Sequence, residues 1–189
     1  MKKLYSYLLL LASLFCALVI SAHGQVVAGA SDAGQVQTDI KLRGADGKTY
    51  DTASLRGNVL LVSFGATWCE PCREELQALE QLKKEYRDKP VKFIWISIES
   101  QDEVSDGALR DYAKKLKISF PVLRDPDKAT FSRFSTRLRL PTILFYDKSG
   151  NLSTPNHVGM AAIPIYLAKM RERLDKLLTM EAATNANGR

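Results

Sequence analysis

Cysteine and histidine are scarce in this chain of 189 residues, which has three cysteines and two histidines. A disulfide-stapled scaffold uses several widely spaced cysteine pairs. A structural zinc site needs about four Cys or His ligands. The sequence therefore argues against both classes of protein, and we expect no metal and no other cofactor.

Dense runs of one charge are also absent. The chain has 27 basic and 21 acidic residues and a formal net charge of +6, with the two signs mixed along the sequence. A nucleic-acid-binding surface would need a basic cluster, so no nucleic-acid partner is expected. The sequence also shows no internal repeat. Its 46% hydrophobic and 25% charged residues are typical of one soluble globular domain.

The N-terminus has the order of a secretory signal peptide. Lys2 and Lys3 precede an apolar run at 8–20, and small residues stand at Ala22 and Gly24. We predict a signal peptide at 1–24, with cleavage after Ala22 as an alternative. Export to the periplasm follows, and the protein would act there in soluble form.

A retained membrane anchor facing the periplasm is the other reading of this segment. The apolar stretch at 4–20 has only 17 residues, which is at the short limit for spanning a bilayer. A lipoprotein is disfavoured, because Cys16 follows Phe15 instead of a small residue. Cleavage would leave only Cys69 and Cys72 in the mature chain.

Apolar periodicity divides the rest of the chain. We predict a flexible linker at 25–39, a domain at 40–180 and a disordered tail at 181–189. Within the domain the pattern predicts a hairpin at 41–50, strands at 59–64, 93–98, 120–123, 142–146 and 157–160, a helix from the cysteine pair to before Pro90, helices at 102–117 and 163–178, and a helical turn at 129–134. Strands that alternate with helices in this way predict an α/β fold, a central mixed sheet with helices on both faces.

The segment Cys69-Glu70-Pro71-Cys72 lies where a buried strand ends and a helix begins. A helix N-terminus favours a thiolate, and the thiolate is the form that attacks disulfides. We expect Cys69 to be the exposed nucleophile and Cys72 to lie further inside and to resolve the mixed disulfide. Proline is suited to the first helical turn.

Two structural interpretations of the pair remain as alternatives. A stabilising disulfide is disfavoured, because so small a loop constrains the unfolded chain very little. A zinc site would have only His157 and carboxylates to complete its ligands after signal removal.

Residues 57–76, GNVLLVSFGATWCEPCREEL, resemble the thioredoxin superfamily in its TlpA/ResA-like branch of exported or membrane-tethered thiol reductases, several of which serve cytochrome c maturation. The resemblance extends over about 41–178. It implies a thioredoxin-like three-layer α/β/α sandwich with an N-terminal β-hairpin. It also implies that Leu140 and Pro141 form a cis-proline motif opposite the cysteines.

The same resemblance assigns the site. Cys69 and Cys72 would be catalytic, and the substrate would be bound by Trp68, Glu70, Pro71, Leu140 and Pro141. Glu75 matches a glutamate that accepts protons near the thiols in ResA-like proteins. Many thioredoxins have a buried Asp where this chain has Ser63, which places more weight on Glu75 as the proton acceptor; a solvated helix carboxylate is the alternative.

We expect a thiol–disulfide oxidoreductase that reduces protein disulfides, because a carboxylate between the cysteines disfavours the thiolate. A membrane thiol-reducing donor would resupply electrons, and the protein would be a monomer. Two alternatives remain. A peroxiredoxin-like peroxidase would need a Thr-x-x-Cys spacing, which Thr67 does not supply. A copper-binding protein on the same fold would need His157 as its third ligand.

Overall fold

A computed structural model describes residues 38–180 of the chain. The predicted signal peptide and tail, and most of the predicted linker, lie outside the described residues. Thr38 and Asp39, the last two residues of that linker, already bond to the domain. The Tyr146 hydroxyl donates to the Thr38 carbonyl, and Arg56 forms an ion pair with Asp39 at 2.9 Å.

Strands and helices alternate through most of the described chain. In order they are β1 (Lys41–Arg43), β2 (Thr49–Asp51), a 3-10 helix (Thr52–Leu55), β3 (Val59–Gly65), α1 (Glu70–Glu85), β4 (Val91–Ser97), α2 (Asp106–Lys115), β5 (Val122–Arg124), α3 (Ala129–Ser132), β6 (Thr142–Tyr146), β7 (Leu152–Val158) and α4 (Ile163–Thr179). None of the helices in this part of the chain is long and apolar enough to cross a bilayer.

The central sheet is mixed, as predicted. Its strand order is β5-β4-β3-β6-β7, and the hairpin β1-β2 forms a separate two-stranded sheet. Strand β4 runs parallel to β3 and β5, while β6 runs antiparallel to both β3 and β7. The fully buried β3 therefore lies in the middle, and its carboxyl end leads directly to the cysteine pair.

Side chains of β3 alternate between two hydrophobic cores. Val59 and Leu61 face a core built with α1, α2 and α4. Leu60 and Val62 face a second core, to which α3 contributes Phe131. The predicted three-layer α/β/α arrangement is confirmed, although the second outer layer consists only of the one-turn helix α3, the 3-10 helix and the hairpin.

Helix α2 is shorter than the predicted 102–117. It begins at Asp106 because the Ser105 hydroxyl caps it, accepting from the Ala108 amide at 3.2 Å. It ends at Lys115, and Lys117 has a left-handed φ of 57°. The apolar spacing that predicted a longer helix continues into the flanking turns.

Strand β7 was wrongly predicted at 157–160 and spans Leu152–Val158 instead. The polar run around Pro155 resembled a loop in the sequence. A proline is tolerated in an edge strand because one side of the strand has no hydrogen-bonding neighbour, and β7 forms the edge of the sheet.

Candidate active site

The two cysteines form a disulfide at the junction of β3 and α1. Cys69 is the N-cap of α1, and its sulfur accepts a hydrogen bond from the Cys72 amide at 3.2 Å. Cys69 is 6% exposed and Cys72 is fully buried. The first sulfur therefore lies at the positive end of the helix dipole and is the one nearer to solvent.

The two residues between the cysteines begin the helix. Glu70 is the first helical residue, and Pro71 the second, where a missing amide proton costs nothing. The Glu70 carboxylate is exposed and forms an ion pair with Arg73, one turn along. Both side chains are more than half exposed, so solvent weakens this ion pair.

Glu75 is fully buried, so it is not the solvated helix carboxylate of the alternative interpretation. Its Oε2 accepts from the Ser63 hydroxyl at 2.6 Å, and its Oε1 accepts from the Tyr166 hydroxyl at 3.0 Å. Burial raises the pKa of Glu75 from 4.5 to about 8, although both hydrogen bonds oppose that shift. Burial and the nearby Glu75 in turn raise the pKa of Tyr166.

Glu75 lies one helical turn below Cys72, because residues three apart share a helix face. Ser63 and Gly65 also share one face of β3, since strand side chains alternate. A Cβ at Gly65 would lie 3.2 Å from the Cys72 Cβ and 2.6 Å from the Trp95 indole nitrogen. Glu75 and Cys72 therefore pack against the same face of β3, and only glycine fits between Cys72 and the indole.

The peptide bond between Leu140 and Pro141 is cis, as the resemblance implied. The antiparallel register pairs Thr142 with Phe64 of β3, so Pro141 lies at the end of β3 that leads to Cys69. Pro141 is buried, and its carbonyl accepts from the Gly159 amide at 2.8 Å. Its position is thereby tied to the end of β7.

Trp68, immediately before Cys69, has 64% of its surface exposed. An aromatic side chain that is not buried by its own chain provides apolar area for a partner. Leu140 is half-buried beside the cis bond. The predicted substrate-binding residues thus lie on the segments that border the disulfide.

Two residues that the sequence did not single out also belong to this region. Tyr166 lies within the helix predicted at 163–178, and its hydroxyl donates to Glu75. Glu99 directly follows the strand predicted at 93–98. It is buried and binds the backbone and side chain of Thr67. A charged residue directly after a mostly apolar strand was the one available signal.

Among residues 38–180 there is no group of three or more His, Cys, Asp or Glu side chains that could hold a metal ion. His157, the third ligand of the copper alternative, packs its ring against Tyr166 with centroids 5.7 Å apart. Burial lowers the pKa of His157.

Comparisons with known proteins agree with this fold and site. A model of the AhpC/TSA family matches residues 33–154. Thioredoxin-like protein YneN of Bacillus subtilis (strain 168) is 32% identical over 126 residues, which are 67% of this chain and 71% of that protein. Thiol-disulfide oxidoreductase ResA of the same organism is 24% identical over 153 residues, covering 80% of this chain and 83% of ResA.

Solved structures extend the comparison to three dimensions. The crystal structure of a thiol:disulfide interchange protein, thioredoxin family protein from Chlorobium tepidum TLS, is 27% identical and has a TM-score of 0.62. The superposition covers 74% of this chain and 93% of the Chlorobium tepidum chain. Because the family model spans more than half of the sequence, and the fold is that of thioredoxin-like proteins, this chain belongs to the AhpC/TSA family.

Proposed function

We propose that this protein is a thiol–disulfide oxidoreductase that reduces disulfides of protein substrates outside the cytoplasm. The observation that supports it most is the asymmetric pair, a partly accessible Cys69 at a helix N-terminus and a buried Cys72 bonded to it. Relatives named thiol-disulfide oxidoreductase and thiol:disulfide interchange protein support the same chemistry.

The exchange takes two steps. The Cys69 thiolate attacks one sulfur of the substrate disulfide, forming a mixed disulfide and releasing the other substrate sulfur as a thiolate, which takes up a proton. Cys72 then loses its proton and attacks the Cys69 sulfur. The Cys69–Cys72 bond forms, the substrate leaves as a dithiol, and two electrons have passed to the substrate.

Glu75 is proposed to accept the proton of Cys72 in the second step. A proton acceptor works best when its pKa lies near the working pH, and the pKa of Glu75 is raised to about 8 by burial. Ser63 and Tyr166 hold the carboxyl group in place by hydrogen bonds. In this chain Ser63 supports the acceptor and does not act as the acceptor itself.

The reducing direction follows from the carboxyl groups around the pair. Three glutamates, Glu70, Glu75 and Glu99, lie on the segments that build the site. Arg73 forms an ion pair with Glu70, and Arg124 donates to the backbone carbonyl of Glu99 and not to its carboxylate. Carboxylates disfavour the thiolate, and a less stable reduced form makes a stronger reductant.

The substrate would contact the exposed Trp68 and the segment of Leu140 and Pro141, with Glu70 and Pro71 beside the reacting sulfur. Because nothing in this mechanism supplies electrons outside the cytoplasm, a membrane thiol-reducing donor is proposed to reduce the pair again. We place the protein in the periplasm, as a monomer that is soluble or anchored by its N-terminus. Cytochrome c maturation is the process that the resemblance to the TlpA/ResA-like branch favours.

A peroxide-reducing enzyme is the second candidate, because peroxiredoxins share the fold. Ala66 stands where a Thr-x-x-Cys spacing would require threonine. The two candidates differ in substrate, so turnover of hydrogen peroxide and of a protein disulfide by the reduced protein, measured side by side, distinguishes them.

Mixed-disulfide trapping tests the proposed exchange. Cys72→Ser should accumulate covalent, dithiothreitol-sensitive complexes with substrate proteins, because the resolving thiol is gone. Cys69→Ser is the matched control and should accumulate none. Equal trapping by the two variants would contradict the assignment of Cys69 as the nucleophile.

A further inference from the structure

Glu99 is a buried carboxylate outside the predicted set of active-site residues. It follows strand β4, is 3% exposed, and receives three hydrogen bonds. The Thr67 amide donates to Oε2 at 2.8 Å, the Thr67 hydroxyl donates to Oε1 at 2.6 Å, and the Ser97 hydroxyl donates to Oε2 at 2.9 Å. Both carboxylate oxygens are therefore engaged with Thr67.

Thr67 lies in the middle of the turn that joins β3 to α1. The turn is closed by the Cys69 amide, which donates to the Ala66 carbonyl at 3.2 Å. It positions the exposed Trp68 and the N-cap Cys69. Glu99, two residues beyond the end of β4, connects this turn to the neighbouring strand through its two hydrogen bonds with Thr67.

The backbone of Glu99 and of the residues after it is bound by Arg124. The buried guanidinium of Arg124 donates through Nη2 to the carbonyls of Glu99, Ser100 and Val104, at 3.3, 3.0 and 2.8 Å. Its Nη1 lies 3.3 Å from the Asp106 carboxylate at the start of α2. Contacts thus connect α2, Arg124, the backbone of Glu99 and Thr67 in sequence.

We propose that Glu99 is a positioning residue for the exchange reaction, holding the Thr67 turn so that the Cys69 sulfur is presented at the N-terminus of α1. This inference rests on the proposed oxidoreductase function. A displacement of about 1 Å at a reacting group can lower a rate by as much as about a hundredfold. A turn of three residues without its anchor allows such a displacement.

The chain offers a matched control in Glu80. This residue is also buried, at 8% exposure, and its carboxylate also accepts two hydrogen bonds from a single residue. The Ser119 amide donates at 3.0 Å and the Ser119 hydroxyl at 2.6 Å. It lies eight residues beyond Cys72 on α1, about 12 Å along the helix axis. Loss of Glu80 should reduce stability without moving the turn.

The experiment compares Glu99→Ala, Glu99→Gln and Glu80→Ala with wild type. Reduction of a protein disulfide by the reduced enzyme should slow at least about tenfold in Glu99→Ala, because both hydrogen bonds that Thr67 donates to the carboxylate are lost. Glu99→Gln should stay within about threefold of wild type, because its amide oxygen can accept from the Thr67 amide while its nitrogen donates to the hydroxyl. Glu80→Ala should stay within about twofold.

Hydrogen exchange at the Thr67 amide provides a second readout that does not depend on activity. It should accelerate at least about tenfold in Glu99→Ala and not in Glu80→Ala. If Glu99→Ala does not fold, Thr67→Val replaces it, with Thr67→Ser as the conservative rescue. Thr67→Val should slow the reduction of a protein disulfide by about threefold or more.

Three results would overturn the proposal. The first is an unchanged rate of disulfide reduction in Glu99→Ala or its replacement Thr67→Val. The second is equal slowing of disulfide reduction by Glu80→Ala. The third is failure of the conservative variant to restore the rate of disulfide reduction. If wild type itself reduces no disulfide, the oxidoreductase function fails, whereas the hydrogen-exchange result still reports on the Thr67 anchor.

Discussion

Glu75→Gln should remove a large pH dependence from the stability of the oxidised protein. The folded state raises the pKa of Glu75 from 4.5 to about 8 by burying it. A carboxyl group whose pKa is raised on folding stabilises the native state fully below the unfolded pKa, and this contribution is lost as the pH rises through the folded pKa. Glutamine has the same shape and no proton to lose.

The size of the effect follows from the two pKa values. Each unit of difference corresponds to about 1.36 kcal/mol, so the shift from 4.5 to about 8 amounts to roughly 5 kcal/mol of stability lost between about pH 4.5 and 8. The glutamine amide can still bond both Ser63 and Tyr166, because hydroxyl groups donate and accept. The variant should therefore fold, and should exceed wild type in stability at alkaline pH.

The assay is urea unfolding of both proteins with the disulfide intact, so that no thiol titrates. Stabilities are measured from about pH 5 to 8.5, and the difference between variant and wild type is plotted against pH. His157, whose pKa is lowered by burial, contributes with the opposite sign in both proteins and cancels in the difference. A difference that is the same at every pH would refute the reasoning.

Four further predictions concern reactivity and packing. In the reduced protein, limiting iodoacetamide should modify Cys69 first, and faster modification of the other thiol would reverse the roles. Glu75→Gln should also lower the apparent pKa of Cys69 and slow exchange near neutral pH; identical pH–rate profiles would make Glu75 only structural. Trp68→Ala should lower kcat/KM for a protein disulfide about tenfold with Tm unchanged, because the ring is exposed, and a lowered Tm would contradict a purely substrate-binding role. Gly65→Ala should destabilise the protein by about 1–3 kcal/mol in urea, since its Cβ would meet the Trp95 indole at 2.6 Å; an unchanged midpoint would mean that the indole can move.

The order of elements and the central chemistry could be predicted from the sequence because both depend on local patterns. Alternating apolar strands and amphipathic helices identify a mixed sheet. A cysteine pair between a buried strand and a helix places one sulfur at a helix N-terminus. The part of strand β7 at 152–156 could not be recognised in this way, because an edge strand needs no apolar run and tolerates Pro155.

Long-range partners could not be read from the sequence either. Ser63 was noted only as a departure from a buried Asp, whereas the structure shows that its hydroxyl binds Glu75. Tyr166 reaches the same carboxyl group from a helix 91 residues away. Contacts of this kind depend on how α1 and α4 pack on one face of the sheet, and spacing along the chain contains no record of that packing.

The reduction potential of the Cys69–Cys72 pair tests the central claim most directly. Equilibration with a dithiothreitol or glutathione series, followed by alkylation and mass analysis, measures the fraction of oxidised protein at each ratio. A reductase should show one two-electron transition nearer to the value of thioredoxin, about −270 mV, than to that of the oxidant DsbA, about −120 mV. A potential at or above about −150 mV, or no two-electron transition at all, would contradict the proposed function.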